Sequence, residues 1–279
     1  MMPRGGDAVI SIEPYGIYAE HRCDPTGRSM PAMHVHPFHE LYVLLSGRRR
    51  YFVEHTIYDV EPGDLVLIPG TCLHRTICSG RAGYERYVLN FSEENHRGFI
   101  DLVGRETFDD LLHSGCLQLP PAAAKQVQRD VEQIIRVSSQ PPEQAKALLT
   151  HLVQDVLLIA LCQGKRKHPF SGESADKVQA VARYISEHYD RELTLKEAAG
   201  MAFMEATWFS KRFKALTGFG FHEYLTRTRL LAAQALLRET ELSVGEIAER
   251  CGFSGSNYFG DVFRRWKGVS PTAWRERQK

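Results

Sequence analysis

Alternation of apolar and polar positions dominates the first third of the chain. In HELYVLLSG (39–47), RRYFVEHTIYDV (49–60), GDLVLIPG (63–70) and YERYVLNFS (84–92), short runs rich in Val, Leu, Tyr and Phe are punctuated by Gly47, Pro62-Gly63-Asp64 and Pro69-Gly70. Such runs suit pleated strands, and the glycines and prolines suit the turns between them. Strands this closely spaced, with no helical period between them, predict a small antiparallel barrel or jelly roll. Beyond residue 93 the period becomes that of a helix. Residues 122–137 and 143–162 carry apolar side chains at helical spacing, separated by SSQPPE (138–143) with its two prolines. Leu148, Leu149, Leu152, Val156 and Ile159 share one broad face. That face either packs on the barrel or, chiefly through Leu148, Leu152, Val156 and Ile159, joins two copies of the chain.

The stretch CQGKRKHPFSGESADK (162–177) is polar, basic and interrupted by Gly, Pro and Ser, which is linker composition. Three segments follow: residues 1–165 as a barrel domain with a helical pair, 166–175 as linker, and 176–279 as an all-α domain. The expected class is α+β.

The all-α part repeats itself. LTLKEAA (193–199) matches LSVGEIA (242–248), and FKALTGFGFHEYL (213–225) matches FRRWKGVSPTAWR (263–275). Thr194 and Ser243 each stand three residues before a glutamate, Glu197 and Glu246, which is the capping-box signature. Gly218 and Gly268 follow the next helix of each copy, where a left-handed cap calls for glycine. A capped short helix, a turn and a second helix with a basic outer face make a helix-turn-helix. Between the copies, residues 221–240 form helix throughout. Twenty residues span roughly 30 Å, close to the ~34 Å between successive major grooves on one face of a duplex.

Charge supports a polyanionic partner for this part only. Residues 176–279 hold 17 basic against 13 acidic side chains, while the rest of the chain is acidic on balance and the whole is +1. The six cysteines are scattered with no CxxC pair, which speaks against a disulfide framework or a zinc ribbon and suits a reducing cytoplasm. No apolar run follows Met1, so no secretory leader is expected. The apolar run VLLIALC (156–162) is too short for a membrane span.

In each copy the N-terminal part of the second helix would meet base edges. Those residues are Thr207, Trp208, Lys211 and Arg212 in the first copy and Ser256, Asn257, Tyr258, Asp261 and Arg264 in the second, with Arg265 expected at a phosphate. The segment SVGEIAERCGFSGSNYFGDVFRRWKGVSPTAWR (243–275) resembles the second helix-turn-helix of the AraC/XylS family of bacterial transcription regulators, and the likeness spans about residues 175–277. It departs from the pattern in the first copy. Phe203 stands where the second copy has Gly252, and Glu205 stands where it has Ser254, taken as the helix N-cap. Glutamate caps poorly through its side chain, so the start of the first reading helix is expected to be less regular.

The resemblance reaches the barrel, which looks like the cupin-type sensing arm of such regulators. His34-x-His36-x3-Glu40-x6-Gly47 and Gly63-x5-Pro69-x4-His74 fit the cupin motifs, with Thr71 and Cys78 as departures. It implies His34, His36, Glu40 and His74 as ligands if a metal is bound. Residues two apart on a strand share a face, so these groups can converge, and two or three imidazoles with a carboxylate suit a divalent metal. The favoured reading is a pocket for an organic effector, a sugar or polyol, built from His36, Glu40, His74, Tyr42 and Phe38, without a cofactor. His39 and His55 are expected at the surface. The arginines of GRRR (47–50) read as a solvated face, although one pointing inward would hold an anionic or sugar effector.

The expected protein is therefore an effector-responsive, sequence-specific regulator that binds double-stranded DNA. Homodimerisation and contact with RNA polymerase are further expectations, with no membrane partner. The competing reading is a metal-dependent cupin enzyme, a dioxygenase or isomerase, fused to a DNA-binding domain.

Overall fold

A computed structural model describes residues 15–26, 36–78, 83–139 and 144–278, which form two compact units divided between Phe170 and Ser171. The first unit is built on β1 (Ile17–Asp24), β2 (His39–Ser46), β3 (Arg49–Val53), β4 (Thr56–Val60), β5 (Asp64–Ile68), β6 (His74–Cys78), β7 (Tyr84–Phe91), β8 (Cys116–Gln118) and β9 (Lys165–Arg166). They form an antiparallel sheet of order β1-β7-β2-β5-β8-β9 and a smaller one of order β4-β3-β6. The run 49–60 is a hairpin rather than one strand, because it turns at Glu54 with φ 57°.

Strand β2 shows how this unit is layered. Leu41 and Val43 point to one side, into a core shared with helices α1 (Arg97–Val103), α2 (Arg105–Leu112), α3 (Pro121–Ser139) and α4 (Ala145–Gln163). Glu40, Tyr42 and Leu44 point to the other side, the barrel interior, with Tyr51, Val53, Tyr58, Val66, Tyr84 and Val88. Both faces are buried, so β2 reads as a nearly continuous apolar run.

Helix α4 is apolar enough by length and composition to cross a membrane, but Leu149, Leu152, Val153, Val156, Leu157 and Ile159 are buried against the sheet side of the unit. This corrects the expected dimer face. Leu152, Val156 and Ile159 belong to the core of one copy, and Leu148 packs at its edge. The barrel needs that cover because the outer face of its large sheet is apolar. Residues after the helical pair are also tied to the barrel. Lys167 Nζ lies 2.6 Å from Asp64 Oδ2, and the Phe170 amide donates to the Ile57 carbonyl at 2.7 Å.

The second unit contains α5 (Glu173–Glu187), α6 (Leu195–Met201), α7 (Ala206–Thr217), α8 (Phe221–Glu239), α9 (Val244–Arg250), α10 (Ser256–Lys267) and α11 (Pro271–Glu276). Capping boxes start α6 at Thr194/Glu197 and α9 at Ser243/Glu246. Left-handed Gly218 (φ 81°) and Gly268 (φ 76°) end α7 and α10. Phe209, Phe213, Phe221 and Tyr224 pack ring to ring beneath the first copy. Phe259 and Phe263 do the same beneath the second, with Ile247, Leu230 and Leu237. The 19 residues of α8 span about 28 Å and contribute Leu225 to one half and Leu237 to the other.

Candidate functional site

The barrel interior is polar in three layers set by strand register. At one end Glu40 on β2 faces Asn90 on β7, and His74 begins β6 opposite Val53. His36, in the segment entering β2, completes the group. The His36, Glu40 and His74 ligand atoms lie within 4.8 Å of one another, and all three residues are buried. Tyr42, Tyr51 and Thr76 occupy the middle, with the two tyrosine rings 5.0 Å apart. Arg49, Arg86 and Tyr84 line the far end.

Hydrogen bonds fix the state of the first layer. His36 Nδ1 donates to the Phe38 carbonyl at 2.8 Å, and His74 Nδ1 donates to the Cys72 carbonyl at 3.0 Å. Carbonyl oxygens only accept, so both Nδ1 atoms carry protons and both Nε2 atoms turn towards Glu40. His36 Nε2 is 3.1 Å and His74 Nε2 3.9 Å from Glu40 Oε2. The Tyr51 hydroxyl donates to Glu40 Oε1 at 3.0 Å, and Asn90 Nδ2 donates to Oε2 at 3.2 Å.

Burial opposes the charge on both partners, and the contact between them favours it. Burial would lift the Glu40 carboxyl, but the His36 hydrogen bond and the two imidazoles hold it far below the usual carboxylate range. Burial would depress His36, and Glu40 outweighs it and raises the imidazole.

Two imidazoles with locked tautomers and one carboxylate fit a divalent metal, and the backbone carbonyls supply the orienting contacts that metal-bound histidines use. A metal there would act as a Lewis acid towards a bound oxygen. His34, the remaining implied ligand, lies outside the described residues. Phe38 is half-buried, its ring 6.3 Å from that of His36.

Two expectations about this unit change. His39 is not a surface residue. It is largely buried, accepting from the Gly70 amide through Nδ1 and donating to Glu93 Oε1 at 2.9 Å. Arg49 is not solvated. It is 2 % exposed, with its guanidinium 4.1 Å from the Tyr84 ring centre. Arg86, Asn90 and Tyr51 escape the motif reading. A signal exists, because Tyr84-x-Arg86 and Arg49-x-Tyr51 share strand parity with interior tyrosines.

In the second unit, α7 exposes Thr207, Lys211 and half of Trp208. Arg212 is half-buried and donates through Nε to Ser174 Oγ at 2.8 Å. Glu205 caps α7 after all. Its two carboxylate oxygens accept from the amides of Thr207 and Trp208, each at 2.9 Å. On α10, Ser256, Asn257, Asp261, Arg264 and Arg265 are exposed and Tyr258 is half so. Ser254 is not its cap. Gly255 holds that position, with no side-chain hydrogen bond to the first turn. Arg265 Nε donates to the Asp261 carbonyl at 3.3 Å.

Comparison with known proteins follows the same division. Residues 14–153, half of the chain, match the family described as the AraC-like ligand binding domain, and residues 198–277 match a helix-turn-helix domain. The HTH-type transcriptional activator RhaR of Enterobacter sp. (strain 638) is 27% identical over 280 residues, covering 98% of this chain and 92% of that protein. The regulatory protein PocR of Salmonella typhimurium is 36% identical over 100 residues, covering 36% of this chain and 33% of that protein. The crystal structure of the DNA-binding domain of AdpA in complex with a target DNA has 35% identity over 36% of this chain and 90% of that one, with a TM-score of 0.35.

Proposed function

The chain belongs to the AraC family of transcription regulators, and on that premise we propose how its two units divide the work. It is an effector-responsive, sequence-specific DNA-binding regulator, and its relatives include proteins named as transcriptional activators. We infer that the barrel senses a small hydroxylated molecule of the sugar or polyol class and performs no catalysis. The observation that carries this is the buried first layer. Glu40, held ionised, accepts from hydroxyls, His36 and Asn90 donate, and the phenols of Tyr42 and Tyr51 offer flat faces.

In the second unit, α7 and α10 enter adjacent major grooves, with Asn257 and Ser256 at base edges and Arg264 and Arg265 at phosphates. Two copies of the chain pair through the outward stripe of α4. Ala147, His151, Gln154 and Leu158 follow one another at the four-three spacing of a coiled-coil seam, and Leu158 is 41 % exposed. RNA polymerase is the further partner that an activator requires.

Gel-shift titration of the full chain on a selected operator, with and without hexoses and polyols, tests the reading. A ligand should change operator affinity, and Glu40→Gln should abolish the change while leaving ligand-free DNA binding intact. A response unaltered by Glu40→Gln would contradict it. The locked Nε2 atoms favour one second reading, a divalent metal at His36, Glu40 and His74. Elemental analysis of purified protein separates the two. Stoichiometric zinc, iron or manganese together with turnover of a substrate would establish the enzyme.

A further inference from the structure

The far end of the barrel interior holds two arginines that play no part in the sensing layer. On β7 the alternation that turns Asn90 and Val88 inward also turns Arg86 and Tyr84 inward, and on β3 the same parity brings Arg49 in with Tyr51. Arg49 Nη2 donates to Thr76 Oγ1 at 3.4 Å. Arg86 is 7 % exposed and sits with its guanidinium 5.8 Å from the Tyr42 ring centre. The carboxylate beside it, on Glu20, comes to 3.8 Å from Nη2, beyond hydrogen-bond reach. Among the described residues, Arg86 Nη1 is buried with no hydrogen-bond partner, and so is the hydroxyl of Tyr42.

Buried guanidinium and phenol groups are stabilised only by partners, and an apolar pair would pack the same space without that demand. The two unmatched groups belong to neighbouring layers. Leu44, two residues along β2 from Tyr42, is the register partner of Arg86. Along β7, Asn90 and Arg86 are four residues apart on the same face, about 13 Å of strand.

We propose that Arg86 and Tyr42 form a carboxylate seat inside the barrel, so that the effector is a polyhydroxylated acid. Its carboxylate meets Arg86 Nη1 and the Tyr42 hydroxyl, and its hydroxyls reach Glu40, His36 and Asn90. The inference rests on the reading of the barrel as a site for a hydroxylated ligand. A singly charged carboxylate suits the site better than a dianionic phosphate, because the Glu20 carboxylate, 3.8 Å from Arg86 Nη2, borders it. The planar carboxylate also matches the guanidinium fork.

The test is thermal-shift titration of the full chain at constant pH and ionic strength with three sets of probes. D-galacturonate and D-gluconate are the acids, D-galactose and sorbitol the neutral counterparts, and glucose 6-phosphate the dianion. The acids should stabilise saturably, at least tenfold more tightly than their neutral counterparts. Arg86→Gln should erase that preference, Tyr42→Phe should reduce it several-fold, and Glu40→Gln should weaken acids and neutral sugars alike. Equal binding of acids and neutral sugars, or a preference that survives Arg86→Gln, overturns the seat and leaves the hydroxylated-ligand reading standing. Tighter binding of the phosphate overturns the carboxylate assignment. No saturable stabilisation by any probe overturns the seat and the reading beneath it. Should Arg86→Gln fail to fold, Tyr42→Phe, which keeps the ring, decides: an unchanged acid preference overturns the seat and a reduced one supports it.

Discussion

At the start of α7 the carboxylate of Glu205 sits on the amides of Thr207 and Trp208, whereas Gly255 leaves the first turn of α10 without a side-chain cap. In the turn before each helix, the first copy has Phe203 at φ 53° and 86 % exposed, while the second has Gly252 at φ 73° pressed against the chain before α6. Arg212 is spent on Ser174 in the first copy, while Arg264 and Arg265 stand exposed in the second. The copies agree where the backbone has to fold, in the capping boxes, the left-handed glycines and the buried phenylalanines. They differ on the surface that would meet DNA. An open helix N-terminus with free amides attracts phosphate, and one already occupied by a carboxylate does not. On the proposed reading, the second copy would anchor and read and the first would position.

The largest expected effect breaks the comparison at its turn. A Cβ at Gly252 would lie 2.6 Å from the Asp190 carbonyl oxygen and 2.8 Å from that of Tyr189, in a left-handed conformation. Gly252→Ala should destabilise the second unit by about 2–4 kcal/mol. Phe203→Gly should stabilise it by up to about 1 kcal/mol through relief of the same conformation. All three tryptophans, Trp208, Trp266 and Trp274, lie in this unit, so their fluorescence during urea unfolding of the full chain reports on it selectively. A Gly252→Ala variant as stable as the parent would refute the close approach.

Asn257→Ala comes next, costing roughly 1–3 kcal/mol on the specific operator and little on unrelated DNA. The measurement is competition binding against random duplex, where an equal loss on both would make Asn257 a backbone contact. Exchanging the helix starts sharpens the contrast. Glu205→Ala should cost α7 about 1 kcal/mol of stability through the lost cap, and it should tighten DNA binding at low salt by removing an anion near phosphate. Gly255→Asp should do the reverse, stabilising α10 and weakening DNA binding. Smallest is Arg265→Ala, which should weaken all sequences alike and reduce the salt dependence by about one unit of slope. Arg212→Ala should change that slope less, since its Nε already has a partner.

Much of this architecture is legible because it rests on local chemistry. Thr194-x-x-Glu197 and Ser243-x-x-Glu246 announce helix starts whatever the tertiary context, and Gly218 and Gly268 announce ends. The Glu205 cap is not legible, since average preference disfavours glutamate there while each of its oxygens in fact finds an amide. The cap expected at Ser254 falls one residue early, because Gly255 extends the turn before α10. The α4 face is ambiguous because one apolar stripe serves a core and an interface equally well. The layer of His36, Glu40 and His74 can be read from motif spacing, but Asn90 and Arg86 arrive from β7, some fifty residues away, and only the register of β2 with β7 brings them in. The burial of His39 is hidden for a similar reason, as its partner Glu93 lies beyond the last long strand.

Hydroxyl-radical footprinting of the full chain on a selected operator tests the unequal-copies account most directly. The account predicts two protected segments on one face, separated by about one helical turn of ~10 bp. Asn257→Ala should fade one segment selectively, and Lys211→Ala should weaken protection without changing sequence preference. Protection of a single segment, or equal loss of sequence preference from substitutions in α7 and α10, would contradict it.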